Sequence, residues 1–115
     1  MKLYLIRHAQ PNINTYKGFP GPSLGNKGIT QANTIAQYLQ SKQISQVYAS
    51  DYTRVTETMT PFLVWKSNLD PIQVIELRER EKEIESHEEL VKRVHTWFGF
   101  YQKTIAQQNT AIFSH

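Results

Sequence analysis

Apolar positions along the chain alternate between short runs and longer stretches of helical spacing. Residues 2–6 form a short apolar run bounded by charge, which predicts a strand. Residues 11–28 are rich in Pro, Gly, Asn and Ser and predict a loop. Long ordered loops in compact domains are usually functional. Ile29, Ala32, Ile35, Ala36 and Leu39 then recur at helical spacing, with Asn26 as a cap. Val47, Tyr48 and Ala49 predict a second strand that ends at Ser50 and Asp51. A second helical stripe follows at Val55, Met59, Phe62 and Leu63, capped by Ser50 or Asp51. Pro61 lies inside it and is expected to kink or end the helix.

Ile72, Gln73, Val74 and Ile75 predict a third strand, and Thr110 to Phe113 a fourth. Between them, Ser86 to Glu89 reads as a capping box. It opens the strongest amphipathic stripe of the chain: Leu90, Val94, Trp97, Phe98, Tyr101 and Ile105. The order βαβαβαβ predicts an α/β fold, a three-layer α/β/α arrangement with a mainly parallel sheet and right-handed crossovers.

Composition narrows the class. One domain, residues 1–115, is expected from 115 residues and 13.4 kDa. With no cysteine there is no disulfide framework, thiolate zinc site or cysteine nucleophile. The apolar runs fall well short of the roughly 20 residues of a membrane helix. The N-terminal run is too short for a secretory signal, so no membrane association and a cytoplasmic location are expected. The net charge of +3 is uneven: residues 1–60 carry six basic against two acidic groups, residues 61–115 seven against eight. A basic first half suits an anionic ligand. The charge is too scattered for nucleic acid, which needs clustered Lys and Arg interleaved with stacking aromatics.

Parallel sheets of this kind bind ligands beyond the carboxyl ends of their strands. Arg7 and His8 follow the first strand, Ser50, Asp51 and Arg54 the second, Glu76 to Glu81 the third, and Ser114 and His115 the fourth. Two histidines, two arginines and a set of glutamates on one edge make a phosphate site. Guanidinium forks match phosphate geometry and stay charged. A neutral imidazole can attack phosphorus and form a phosphohistidine, and a glutamate sheltered from water can supply the proton. The scheme requires no metal and no cofactor.

These residues also resemble a known family. Leu5-Ile6-Arg7-His8-Ala9-Gln10 is similar to the Arg-His-Gly signature of the histidine phosphatase superfamily, with its phosphoglycerate mutase-like fold. The resemblance continues in order through Asn14, Gly18-Phe19, Leu24, Gly28 with Gln31-Ala32, and Val47 to Asp51 with Arg54, Glu57 and Thr58. It ends with Leu77 to Arg80, Glu85-Ser86 and Phe113-Ser114-His115. It implies that His8 is the nucleophile and that Arg7, Arg54 and His115 hold the phosphoryl group. Glu79 would be the general acid and base, with Asn14 and Ser50 at the pocket wall. The implied substrate is a phosphorylated small molecule or a phosphoprotein; oligomeric state stays open.

Departures shape the expectation. Ala9 stands for the usual glycine, Pro11 for a hydroxyl residue, and Gly21 for an aspartate. The short interval from Glu79 to Glu85 argues for a phosphatase over a phosphoglycerate mutase. A non-catalytic module that binds phosphorylated ligands is the alternative of another class. The family continues past its second histidine with further strands, so the chain is expected to be a shortened form, with residues 2–6 as an apolar sheet edge. A segment omitted near residues 80–86 is a further expectation. Taken singly, His8 reads as structural, Arg54 as a surface partner of Glu57 or Asp51, and Glu76, Glu81 and Glu83 as rivals of Glu79. Six blocks in order favour the catalytic assignments.

Overall fold

Side chains along a strand point alternately to the two faces of its sheet, and here helices cover both faces. The computed structural model of the chain describes residues 1–13, 18–81 and 83–115, with only the helical backbone at 104–106. Its elements are β1 (Leu3–Arg7), α1 (Asn26–Gln40), β2 (Gln46–Ala49), α2 (Thr53–Trp65), β3 (Ile72–Gln73), a 3₁₀ turn (Ile75–Leu77), α3 (His87–Gln107) and β4 (Thr110–Ser114). The four strands lie in the order β1-β4-β2-β3, every pair parallel. The α/β reading with a parallel sheet and three helices holds.

Val47 and Ala49 of β2 and Ala111 and Phe113 of β4 face α1 and α2, packing with Leu39, Val55, Met59 and Phe62. Their neighbours Tyr48 and Ile112 point the other way, to Trp97 of α3 with Phe98 and Tyr101 beside it. Leu5, Ile112, Tyr48 and Ile72 are register partners in one row across the sheet. The middle two are buried, whereas Leu5 is 69% exposed, so α3 covers the centre of its face and leaves the β1 edge open. Among the described residues, no helix is long and apolar enough to cross a membrane.

The capping box is present in both halves: the Ser86 side chain accepts from Glu89 N–H, and the Glu89 carboxylate accepts from Ser86 N–H. Of the expected stripe on α3, Trp97 is buried and Leu90, Val94, Phe98 and Tyr101 are half-buried; the side chain of Ile105 lies outside the described residues.

Several expectations are corrected. The 11–28 stretch is not all loop: Pro11 and Leu24 form an antiparallel bridge, and α1 begins at Asn26. Gly25, not Asn26, is the N-cap of α1 and gives no side-chain cap. Neither Ser50 nor Asp51 caps α2; Tyr52 takes that position, because the Ser50 hydroxyl is bonded to His115 and the Asp51 carboxylate to Arg78. Pro61 does not end α2, which runs four residues further to Trp65. A mid-helix proline costs about 3 kcal/mol, an amount that burying the following Phe62 in the core offsets. The third strand stops at Gln73, since the chain must turn there to bury Leu77.

Candidate active site

Three neighbouring strands end side by side, and each delivers one polar residue. His8 follows β1 and donates its N–H to Ser114 O of β4 at 2.9 Å. Ser50 follows β2 and donates its N–H to Phe113 O at 3.0 Å. His115 follows β4 between them, its ring centroid 5.4 Å from that of His8. These backbone bonds extend the parallel ladders by one residue, which fixes where the side chains start.

Arg54, the second residue of α2, joins them. It is 6% exposed and spends its donors inside the group: Nε on His8 Nε2 at 3.3 Å, Nη2 on Glu79 Oε2 at 2.7 Å and on His115 Nδ1 at 3.4 Å. A guanidinium can only donate, so His8 Nε2 and His115 Nδ1 are acceptors here. The His8 proton then sits on Nδ1, which donates to its neighbour Ala9 O at 2.8 Å. His115 carries its proton on Nε2 and donates to the buried Ser50 hydroxyl at 3.0 Å.

Electrostatics favour the neutral form of both rings. Burial lowers the His8 pKa from its ordinary 6.5, and the charges of Arg54 and Arg7 act in the same direction, against the Ala9 carbonyl and Glu79. His115 is pushed down to about 3, by burial first and then by Arg54. A neutral imidazole with a free lone pair is a nucleophile; a protonated one is not.

Glu79 reaches the site because the segment before it is pinned by β4, by α3 and by the turn after β2. The Ser114 hydroxyl donates to Leu77 O at 2.8 Å. Arg78 pairs with Asp51 through Nε and Nη2, which holds the Asp51 carboxyl below its ordinary range. Arg93 of α3 donates to the carbonyls of Glu76 and Arg78 while pairing with Glu85. The expectation of a sheltered carboxylate is corrected: the Glu79 side chain is 55% exposed and tied to Arg54.

The loop after His8 is likewise anchored. Ala9 N–H donates to Thr58 Oγ1 at 2.8 Å, and that hydroxyl donates to Arg54 O at 2.7 Å. Gln10 N–H donates to Gln31 Oε1 at 2.9 Å.

The structure therefore gathers His8, Ser50, Arg54, Glu79 and His115. Arg7 is exposed at the end of β1, near enough for its charge to act on His8. Asn14 lies outside the described residues. Tyr52, Arg78 and Arg93 have no role assigned from the sequence, where Arg78 enters only within the Leu77 to Arg80 stretch; the pairs Asp51–Arg78 and Glu85–Arg93 emerge in the structure. Two hollows border the site. One, of about 400 Å³, includes Phe19, Tyr52, Arg78 and Glu79 in its wall. The other, of about 670 Å³, runs along β1 and α3 past Leu5, Val94 and Phe98 to Glu79 and His115. Among the described residues, no three His, Asp or Glu side chains gather to hold a metal ion.

With this geometry in place, comparisons become informative. The profile described as Histidine phosphatase superfamily (branch 1) matches residues 3–83. A Schizosaccharomyces pombe protein named "Probable phosphatase" is 34% identical over 83 residues, 70% of this chain and 40% of that protein. The chain thus spans less than half the length of this curated relative. The alpha-ribazole phosphatase of Shigella flexneri superposes with a TM-score of 0.84 at 21% identity, over 100% of this chain and 74% of its own. The phosphoglycerate mutase of Bacillus anthracis superposes with a TM-score of 0.76 at 21% identity, over 98% of this chain and 74% of its own. These structural likenesses show a shared fold, phosphatase and mutase alike.

Proposed function

Because the chain belongs to the histidine phosphatase superfamily, we propose that it hydrolyses phosphomonoesters through a phosphohistidine formed on His8. The observation that carries this reading is the state of His8: its Nδ1 proton is held by Ala9 O, and its Nε2 lone pair faces Arg54. An imidazole in this tautomer attacks without first losing a proton, once the phosphoryl group draws the Arg54 N–H away from Nε2.

In the proposed reaction, His8 Nε2 forms a bond to phosphorus as the bond to the leaving oxygen breaks in line. Arg7, Arg54 and His115 surround the phosphoryl oxygens and stabilise their charge. The incoming phosphoryl group displaces the Glu79 carboxylate from Arg54; Glu79 takes up a proton from solvent and passes it to the departing oxygen, releasing the alcohol. The Glu79 carboxylate then takes a proton from water, whose oxygen attacks phosphorus as the N–P bond breaks. Inorganic phosphate leaves, Glu79 returns its proton to solvent and pairs with Arg54 again, and His8 is restored. Ala9 O stabilises the Nδ1 proton of the charged phosphoimidazole between the two steps. The substrate is a phosphorylated small molecule or a phosphoprotein, met in the cytoplasm.

The test is the intact mass of the protein before and after exposure to a small phosphodonor such as phosphoramidate. The expected result is a gain of one phosphoryl group, acid-labile and absent from His8→Ala, together with phosphate release from simple esters. Turnover that survives in His8→Ala would overturn the mechanism. Phosphate binding with neither labelling nor turnover would replace it with a binding module.

A further inference from the structure

The guanidinium of Arg54 lies in a slot that the groups assigned to the reaction build only in part. Its Nε and Nη2 sides meet His8, Glu79 and His115, while its Nη1 side meets Gly21. A β-carbon at Gly21 would stand 2.7 Å from Arg54 Nη1 and 3.4 Å from Tyr52 Cδ2, and Gly21 has φ +84°, a conformation that favours glycine. The Tyr52 ring forms the floor, with the Arg54 guanidinium carbon 4.9 Å from its centroid. The same ring meets His115 edge-on at 5.1 Å and Phe19 at 5.3 Å. Thr53 N–H donates to Pro20 O at 2.8 Å, which closes the turn carrying Gly21 onto the start of α2. Tyr52 is buried in the core cluster as well, yet a core position alone would be satisfied by any large apolar side chain.

We propose that Gly21 and Tyr52 are positioning residues for Arg54: the glycine leaves room for Nη1 and the tyrosine ring holds the guanidinium face. The slot fixes the fork with Nε on His8 and Nη2 towards Glu79 and His115. A cation over an aromatic face is attracted by the negative charge of the ring's π surface. The absence of a β-carbon leaves room for Nη1 in the position it takes in this chain, 2.7 Å from where that carbon would stand. For its effect on turnover the inference rests on the phosphatase reading; for the placement of Arg54 it does not.

The test follows the Arg54 Nε–H signal by nitrogen-15 NMR, assigned through its loss in Arg54→Lys, alongside kcat/KM for 4-nitrophenyl phosphate and inhibition by orthovanadate. Tyr52→Phe keeps the ring face and is expected to keep both the signal and the kinetics. Tyr52→Leu keeps apolar bulk but not the face; its signal is expected to broaden, and kcat/KM and vanadate affinity to fall about fivefold. Circular dichroism and the thermal midpoint report whether each variant is folded. Gly21→Ala supplies the second variant, expected to displace the same signal. In an Arg54→Lys background the effect of Tyr52→Leu on vanadate affinity should largely vanish. A sharp, unshifted Arg54 signal in folded Tyr52→Leu would overturn the proposal, as would an equal loss of affinity in both backgrounds. Should the wild-type protein hydrolyse no ester while the signal behaves as expected, the phosphatase reading falls and the slot stands.

Discussion

Glu79 grips Arg54 at 2.7 Å, and Arg54 is the guanidinium that also touches His8 and His115. An incoming phosphoryl group must therefore compete with Glu79 for the same fork. Replacing the carboxylate by an amide removes a competing anion and the proton donor together. Glu79→Gln should bind inorganic phosphate more tightly while kcat/KM for an alkyl phosphate falls about 10²- to 10⁴-fold. The loss should be smaller for 4-nitrophenyl phosphate, because nitrophenolate departs without a proton. Equal losses on the two esters would remove Glu79 from the acid role.

Neutral burial of His115 makes stability depend on pH in a defined window. Its pKa is about 3 in the folded chain against 6.5 as the ordinary value. Between those values the unfolded chain binds the proton and the folded chain does not, so stability falls as pH drops from 6.5 towards 3. His8, also lowered, acts in the same direction. Asp51 works from 3.8 downwards, where its bond to Arg78 is lost. Glu85, lowered from 4.5 by its bond to Arg93, adds to the loss only at the acid end of this range. Urea unfolding between about pH 6.5 and 5.5 therefore reads the histidines, and the slope there should be shallower in His115→Gln. An unchanged slope would mean that His115 titrates normally.

The fold was legible because its pattern is redundant. Each strand alternates or runs apolar, each helix shows its stripe, and the βαβ order admits few topologies. Boundaries were less legible, since Pro61 and the run 72–75 follow local rules that burial of Phe62 and Leu77 overrides. In the site, His8, Ser50 and His115 could be read from the ends of predicted strands. Arg54 could be placed beside them, but its hydrogen bonds could not, because they join residues 25 to 61 positions apart in the chain. Tyr52 left no sequence signal at all: an aromatic residue before a helix ordinarily belongs to the core, and this one does so while also touching Arg54 and His115.

Thr58 is a fully buried hydroxyl that joins the loop after His8 to α2, accepting from Ala9 N–H and donating to Arg54 O. Thr58→Val keeps the shape and strands the Ala9 N–H without an acceptor, at a cost of about 1–3 kcal/mol. Thr58→Ser retains the oxygen and loses only a methyl group. Chemical denaturation should therefore rank Thr58→Val well below Thr58→Ser. The reverse ranking would show that methyl packing, not the hydrogen bond, is what this position supplies.

Two glycines within helices make opposite predictions for one substitution. At Gly28, in the first turn of α1, a β-carbon would lie 2.1 Å from Gln10 O and 3.0 Å from Gln10 C, both backbone atoms of the loop after His8. That loop is held by Gly25 N–H on Gln10 O and Gln31 on Gln10 N–H, so it cannot retreat without losing both bonds. At Gly99, in α3, a β-carbon would meet nothing within 4 Å. Alanine in a helix interior is favoured over glycine by roughly 0.5–1 kcal/mol. Gly99→Ala should thus raise the unfolding midpoint slightly and leave turnover alone. Gly28→Ala should lower the midpoint despite the better helix former, and should lower kcat/KM because the displaced loop carries Ala9, whose carbonyl holds the His8 proton. If Gly28→Ala were as stable and active as Gly99→Ala, the contact between α1 and the His8 loop would not be what orients the nucleophile.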